Sequence, residues 1–304
     1  MTRPGGPAVP VLSGPTACGK TEALLRLADR IGMEVVSADS RQVYRGMDIG
    51  TAKPAPEDRA RLPHHLLDIL DPDEGYSAWR FSMDAAGAVG EIRSRGALPV
   101  VAGGTALYLM AFAGMLDALP GTCRSLRNAL VEIESDSPGE LRRFLDRLDP
   151  ASADRIRTGD TVRTLRALEI ILLSGRTATS SRKGGSGPAG IVGIRMVVPQ
   201  TTLRARISAR TAGMLERGLV EEVEDLAARG YGRDSALGRT IGYVEVLDML
   251  EGLCTPEELR QRIEADTWRF ARRQLNMLSR IPWDHEWDGT DESSLARWIS
   301  QPGG

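Results

Sequence analysis

The fold turns on Val9-Pro10-Val11-Leu12-Ser13-Gly14-Pro15-Thr16-Ala17-Cys18-Gly19-Lys20-Thr21. Val9 to Leu12 is a short apolar run that reads as a buried strand, and Ser13-Gly14-Pro15 turns the chain. From Thr21 to Ile31, Leu24, Leu25, Leu27, Ala28 and Ile31 recur at helical spacing. Gly14 to Thr21 satisfies G-x-x-x-x-G-K-[ST], and strand, glycine loop and helix is the setting in which that pattern acts. Backbone amides of the loop and the helix N-terminus present partial positive charge to phosphate oxygens, and Lys20 adds a full charge. The Thr21 hydroxyl is a ligand for a phosphate-bridged Mg²⁺. The loop alone leaves open whether it holds a nucleotide or another diphosphate. Cys18 sits near a helix N-terminus, which favours thiolate; the plainer reading is a small residue that fits a tight loop.

Downstream of the loop the alternation continues. Gly32 closes the helix, and Met33 to Ser37 reads as a second buried strand ending at Asp39-Ser40-Arg41-Gln42, a position where open α/β sheets place their sites. Phe81 to Arg95 has helical character. Leu98 to Ala102 is another strand, followed by Gly103-Gly104-Thr105 and a helix from Ala106. Ile191 to Val198 reads as a further strand, and Leu203 to Arg229 and Pro256 to Leu278 as helices. The expected class is therefore α/β: a P-loop NTPase-like, doubly wound parallel sheet with a helical insertion domain. Residues 9–119 and 189–283 are expected to form the catalytic core, and 284–304 a C-terminal tail. Residues 120–188 form the helical insert, whose strand-like runs vanish and which closes on the Gly/Ser-rich linker Lys183 to Pro188.

Composition narrows the class further. The chain has 304 residues, of which 41% are hydrophobic, enough for one large domain with an insert. The formal charge of −2 means that any nucleic-acid surface must come from local arginine clusters. Lysine occurs only at 20, 53 and 183; for Lys53 and Lys183 compositional bias is the simpler account. Cys18, Cys123 and Cys254 lack metal or disulfide spacing, which argues against structural zinc and for a reducing compartment. No window reaches the length of a membrane helix, and the N-terminus has no signal-peptide core. A soluble, cytoplasmic monomer is the expectation.

Three strings go beyond the P-loop: Ser37-Ala38-Asp39-Ser40-Arg41-Gln42-Val43-Tyr44, Gly46-Met47-Asp48-Ile49-Gly50-Thr51-Ala52-Lys53-Pro54, and Pro63-His64-His65-Leu66-Leu67-Asp68-Ile69-Leu70-Asp71-Pro72. With the loop, and with Gly103 to Tyr108, Arg163 to Glu169, Arg206 to Arg210, Thr240 to Tyr243 and Arg272 to Gln274 in order, the chain closely resembles the tRNA dimethylallyltransferase (tRNA isopentenyltransferase) family. The resemblance implies that Gly14, Pro15, Thr16, Ala17, Cys18, Gly19, Lys20 and Thr21 grip the diphosphate of dimethylallyl diphosphate with Mg²⁺. It implies that Arg206 and Arg210 reach the same group, and that Asp39 accepts a proton or hydrogen bond from the attacking adenine amine, with Lys20, Thr21 and Thr105 completing the catalytic set. It further places Asp39, Ser40, Arg41, Gln42, Thr105, Arg163, Arg166, Gly242, Tyr243, Arg272, Arg273 and Gln274 against tRNA.

The residues themselves offer alternatives to several of these roles. Thr105 is also a natural helix N-cap, Asp39 a metal or cap ligand, and His64 and His65 structural hydrogen-bonding groups. Arg155, Arg157, Arg163, Arg166, Arg176, Arg182 and Lys183 in the insert look like phosphate contacts. So do Arg269, Arg272, Arg273 and Arg280, which have no acid between 267 and 280. Where the family carries an aromatic pair after Arg273-Gln274, this chain has Asn276-Met277-Leu278. The rival readings are an adenylate isopentenyltransferase acting on a free nucleotide, a P-loop small-molecule kinase, and an RNA-binding protein with a relict loop.

Overall fold

In the computed structural model of the chain, residues 7–116, 119–121, 123–177 and 190–301 are described. They form two compact units that divide after Ala113, with the chain returning to the first unit beyond the insert. The Lys183 to Pro188 linker, with Arg182, lies outside the described residues.

The first unit begins with β1 (Val9–Ser13), α1 (Lys20–Ala28), β2 (Met33–Ser37), α2 (Pro56–Arg61), β3 (His64–His65), α3 (Ala78–Ser94), β4 (Leu98–Gly103) and α4 (Ala106–Phe112). The second unit is wholly helical where described: α5 (Arg124–Asp136), α6 (Glu140–Leu148), α7 (Pro150–Arg155) and α8 (Thr161–Ser174), around Leu130, Leu141, Leu145, Leu165 and Leu168. The first unit then resumes with β5 (Ile191–Met196), α9 (Gln200–Glu216), α10 (Leu219–Ala228), α11 (Tyr243–Leu250), α12 (Pro256–Leu278), β6 (His285–Trp287) and α13 (Glu292–Ser300).

Among the described residues, six strands pair in parallel in the order β3-β2-β4-β1-β5-β6. Consecutive residues point to opposite faces, so a strand buried on both sides must be apolar throughout. Leu12, Val35 and Val100 enter one core with Leu24 and Leu27 of α1, Leu203 and Ile207 of α9, and Leu295 and Ile299 of α13. Val11, Val36 and Val101 enter the opposite core with Phe81 and Ile92 of α3 and Leu109 and Phe112 of α4. This is the doubly wound α/β sheet that the strand and helix alternation implies. Among the described residues no helix is long and apolar enough to cross a membrane.

Three local readings change. The helix expected from Leu203 to Arg229 is two helices, α9 and α10, because Gly218 at φ 93° takes the chain through a left-handed turn that ends one and starts the other. His64 and His65, expected in a turn, form β3 beside β2. Residues 285–300, expected as a tail, supply the edge strand β6 and helix α13; Trp287, Leu295 and Ile299 are buried in the sheet core. A three-residue strand has too little periodicity to declare itself in sequence.

Candidate active site

The carboxyl ends of β1, β2 and β4 open into a cleft of about 1910 Å³ in the first unit, lined by Thr16, Lys20, Thr21, Asp39, Thr105 and Arg210 among others. At its floor the loop between β1 and α1 carries Ala17 at φ 60° and Gly19 at φ 101°, turning successive backbone amides toward one concavity. Lys20 Nζ donates to the carbonyls of Gly14 and Pro15, each at 2.9 Å, which arches the side chain over the loop. Cys18 is fully buried, with its sulfur 3.6 Å from Met196 Sδ and from Lys20 Nζ. From α9, Arg206 donates to the Cys18 carbonyl at 2.5 Å. Arg210 donates to Thr16 Oγ1 at 3.3 Å and to the Thr51 carbonyl at 3.2 Å. Burial lowers the Arg210 pKa, and the Asp39 and Glu22 carboxylates oppose that shift. Two guanidinium groups one turn apart thus converge on the loop.

Asp39 follows β2. Its Oδ1 accepts from the Arg41 amide at 2.8 Å and the Gln42 amide at 3.4 Å, a turn that fixes the carboxylate's orientation. Oδ2 has no hydrogen bond among the described residues. Thr105 occupies the N-cap position of α4, but its hydroxyl caps no helical amide. Its Oγ1 instead accepts from the Ser40 amide at 3.1 Å, tying the turn after β4 to the turn after β2.

Glu222, which lies outside the quoted strings, and Lys53, which lies within one, shape the next loop. Glu222 of α10 accepts from the backbone amides of Asp48, Ile49 and Gly50 at 3.0, 2.8 and 3.2 Å, and from the Tyr243 hydroxyl at 2.5 Å. Lys53, whose side chain is 1% exposed, donates to Tyr44 O, Asp48 and Asp68 at 2.5, 2.6 and 2.5 Å, and Arg59 joins Asp68 at 2.8 Å. Desolvation works against the Asp68 carboxylate, yet the bonds from Lys53 and Arg59 hold its pKa below the usual range. Lys53 stood in a quoted string and among few lysines, yet its sequence reading was compositional bias; the structure gives it a buried structural role. Glu222 sits in an amphipathic run where a carboxylate reads as a solvated face, so nothing local marked it.

Several residues expected against tRNA have other partners. Tyr243 is fully buried, and burial with the neighbouring Glu222 pushes its hydroxyl pKa far up; it is a core residue with no surface to offer RNA. Gly242, also buried, begins α11. The Gln42 side chain binds the Thr51 and Ala52 carbonyls and Ser37, and the Gln274 amide binds Thr16 N and Gly104 O, so both hold loops. In the second unit Arg166 pairs with the fully buried Glu169 and with Pro120 O. Arg163, its side chain 75% exposed, pairs among the described residues with Asp160. Arg269 pairs with Asp266, one residue outside the acid-free stretch. Ser40 and Arg41 line the cleft, as does Arg273, which is exposed like Arg272; neither arginine of that pair has an ion-pair partner among the described residues. His64 Nδ1 donates to Leu62 O and His65 Nε2 to Glu34, both at 2.6 Å.

The chain's likenesses to other proteins cover these same stretches. A model of the family described as IPP transferase matches residues 42–280, and one described as isopentenyl transferase matches residues 7–68. A tRNA dimethylallyltransferase of Thermotoga neapolitana is 43% identical over 271 residues, 89% of this chain and 88% of its own. One from Geobacter sulfurreducens is 41% identical over 276 residues, covering 90% and 89%. Among solved structures, the full-length tRNA isopentenylpyrophosphate transferase of Bacillus halodurans superposes with a TM-score of 0.70 at 34% identity, covering 97% of this chain and 96% of that one. A eukaryotic dimethylallyltransferase acting on tRNA gives 0.80 at 26% identity, covering 98% and 77%. A phosphate loop facing a fixed carboxylate, inside a fold and sequence shared over nine-tenths of the chain, places this protein in the IPP transferase family.

Proposed function

We propose that this protein transfers a dimethylallyl group from dimethylallyl diphosphate to the N6 amine of an adenosine in tRNA, at position 37 beside the anticodon, and releases diphosphate. The observation that carries this reading is one cleft lined by the phosphate loop, Arg206, Arg210 and Asp39, whose Oδ2 has no hydrogen bond among the described residues. A P-loop kinase has no need of a carboxylate at that point to deprotonate an amine, and the relatives' acceptor is tRNA, not a free nucleotide.

In the reaction the amine nitrogen forms a bond to the allylic carbon as the carbon–oxygen bond to diphosphate breaks. The bonding pair leaves with diphosphate, and the amine's proton passes to Asp39 Oδ2. An exocyclic amine is a weak nucleophile, and a positioned carboxylate of this kind contributes roughly 10²–10⁴-fold. Lys20, the loop amides, Arg206 and Arg210 meet the charge that develops on the leaving group. The donor set at the loop is one hydroxyl, Thr21, with Asp39 across the cleft. That suits Mg²⁺, which keeps most of its waters and leans on substrate phosphates, and it suits no protein-caged metal. Among the described residues there is no cluster of three His, Cys, Asp or Glu side chains that could hold a metal ion. When bound through Thr21, Mg²⁺ supplies further neutralisation of the diphosphate. The cleft lining comes from one chain, which supports action as a monomer, and a tRNA acceptor supports action in the cytoplasm.

The test offers labelled dimethylallyl diphosphate with unmodified tRNA, then with AMP. Label in tRNA is expected. Label in AMP alone overturns the acceptor, and phosphoryl transfer from ATP without prenylation overturns the reaction class.

A further inference from the structure

We propose that Gln274 is a positioning residue that locks the diphosphate loop to the acceptor-side loop, so that donor binding and placement of the adenine amine depend on one another. This rests on the proposed prenyl transfer. Gln274 Oε1 accepts from the Thr16 amide at 2.8 Å, and Nε2 donates to the Gly104 carbonyl at 2.9 Å. The residue borders the cleft but is only 8% exposed, and both ends of its amide are committed to backbone groups. The next residue, Thr105, accepts from the Ser40 amide, and Asp39 is bonded in turn to the Arg41 and Gln42 amides. A path of hydrogen bonds joined by the Gly104–Thr105 and Asp39–Ser40 peptide links therefore runs from the loop after β1 to the carboxylate assigned the proton.

The bridge is specific to an amide. One end must accept from an N–H and the other donate to a C=O, across a fixed span. The span is rigid because α12 is pinned on both sides of Gln274: Ala271 is buried in one sheet core and Leu278 in the other. Gly104 completes the fit. A Cβ there would lie 2.5 Å from Gln274 Nε2 and 3.1 Å from the Gly14 carbonyl, so the bridge closes only over a residue without one.

Gln274→Met keeps bulk and removes both bonds. It is expected to lower kcat/KM for prenylation about a hundredfold, the scale of a small misplacement of reacting groups. It is also expected to weaken binding of dimethylallyl diphosphate measured without RNA, while tRNA affinity measured without donor stays unchanged. Loss of tRNA affinity with donor binding intact would make Gln274 an RNA contact and overturn the proposal. Gln274→Glu gives a second readout that a merely structural residue would not move. Ionised, its carboxylate faces the Gly104 carbonyl with no donor; protonated, it restores one donor and one acceptor. Its activity relative to the wild type should climb as pH falls through that carboxyl's pKa, and a pH profile parallel to the wild type sinks the bridge. Donor binding in Gln274→Met is read without tRNA, so it stands or falls separately from whether the wild type labels tRNA at all.

Discussion

Asp39 holds two backbone amides on one carboxylate oxygen and leaves the other to the cleft, an arrangement that fixes where a proton is received without neutralising the acceptor. Asp39→Asn keeps the shape and the amide contacts but removes the base. Its kcat should fall by roughly 10²–10⁴ in single-turnover prenylation, with dimethylallyl diphosphate binding retained; an equal loss of donor binding would reassign Asp39 to metal. Asp39, Lys20 and Thr21 were legible because their work is set by neighbours within a few positions: a strand end, a glycine loop, a helix start. Gln274 was legible as part of an ordered string but not in its role, since its partner Thr16 lies 258 positions away in the chain. Tyr243 shows the same limit. The resemblance set it against tRNA, whereas packing buries it and brings Gly50 so close that a Cβ there would lie 2.3 Å from its ring.

Where α11 starts against α12, the fold buries a carboxyl without matching it. Glu245 caps the Gly242 amide at 2.6 Å through Oε2, while Oε1 is buried with no partner. Burial first, with Asp266 alongside, pushes its pKa from 4.5 up to about 7. The folded state therefore binds a proton more readily than the unfolded chain, so the stability this group contributes is complete below about 4.5 and is lost as pH rises toward 7. Glu245→Gln retains an acceptor for Gly242 and cannot ionise. Above pH 7 it should be more stable than the wild type by about 1–3 kcal/mol and should lose most of the slope between those limits, as urea unfolding at several pH values would record. A stability difference between the two proteins that does not widen across that range contradicts the assignment. None of this was visible in the sequence, where Glu245 is one acid in an amphipathic segment. Long elements such as α12, with its Thr255–Glu258 capping box and Pro256 at the first turn, announce themselves, whereas β3 and β6 exist only because a neighbouring strand offers them an edge.

At the scale of the molecule, the first unit brings elements distant in sequence together at the proposed donor site: the β1–α1 loop, α9 through Arg206 and Arg210, and α12 through Gln274. A ligand held at such a junction stabilises the whole unit by mass action. Dimethylallyl diphosphate with Mg²⁺ at a hundred times its Kd should raise the unfolding free energy by about 2.7 kcal/mol and lift the melting temperature by several degrees. Lys20→Ala should abolish most of that gain; an undiminished shift would show that the loop is not where the donor binds. The sheet class and the helical character of the insert followed from alternation and its loss. The closing strand and helix did not, because their cue is a buried Trp287 that only the finished sheet explains.

Strand order also sets a timetable. The central strand β1 leaves the ribosome first, but its two neighbours, β4 and β5, begin only at Leu98 and Ile191. At ~5–20 residues per second, roughly 10–40 s separate the synthesis of Val9 from that of Ile191. For that interval a strand destined for complete burial has an open edge and no partner on one side. Nascent chains on a shared message meet with that edge open, so faster translation from Leu98 to Ile191 should raise soluble yield with no change in the stability of the finished protein, as a pulse-labelled solubility assay would record.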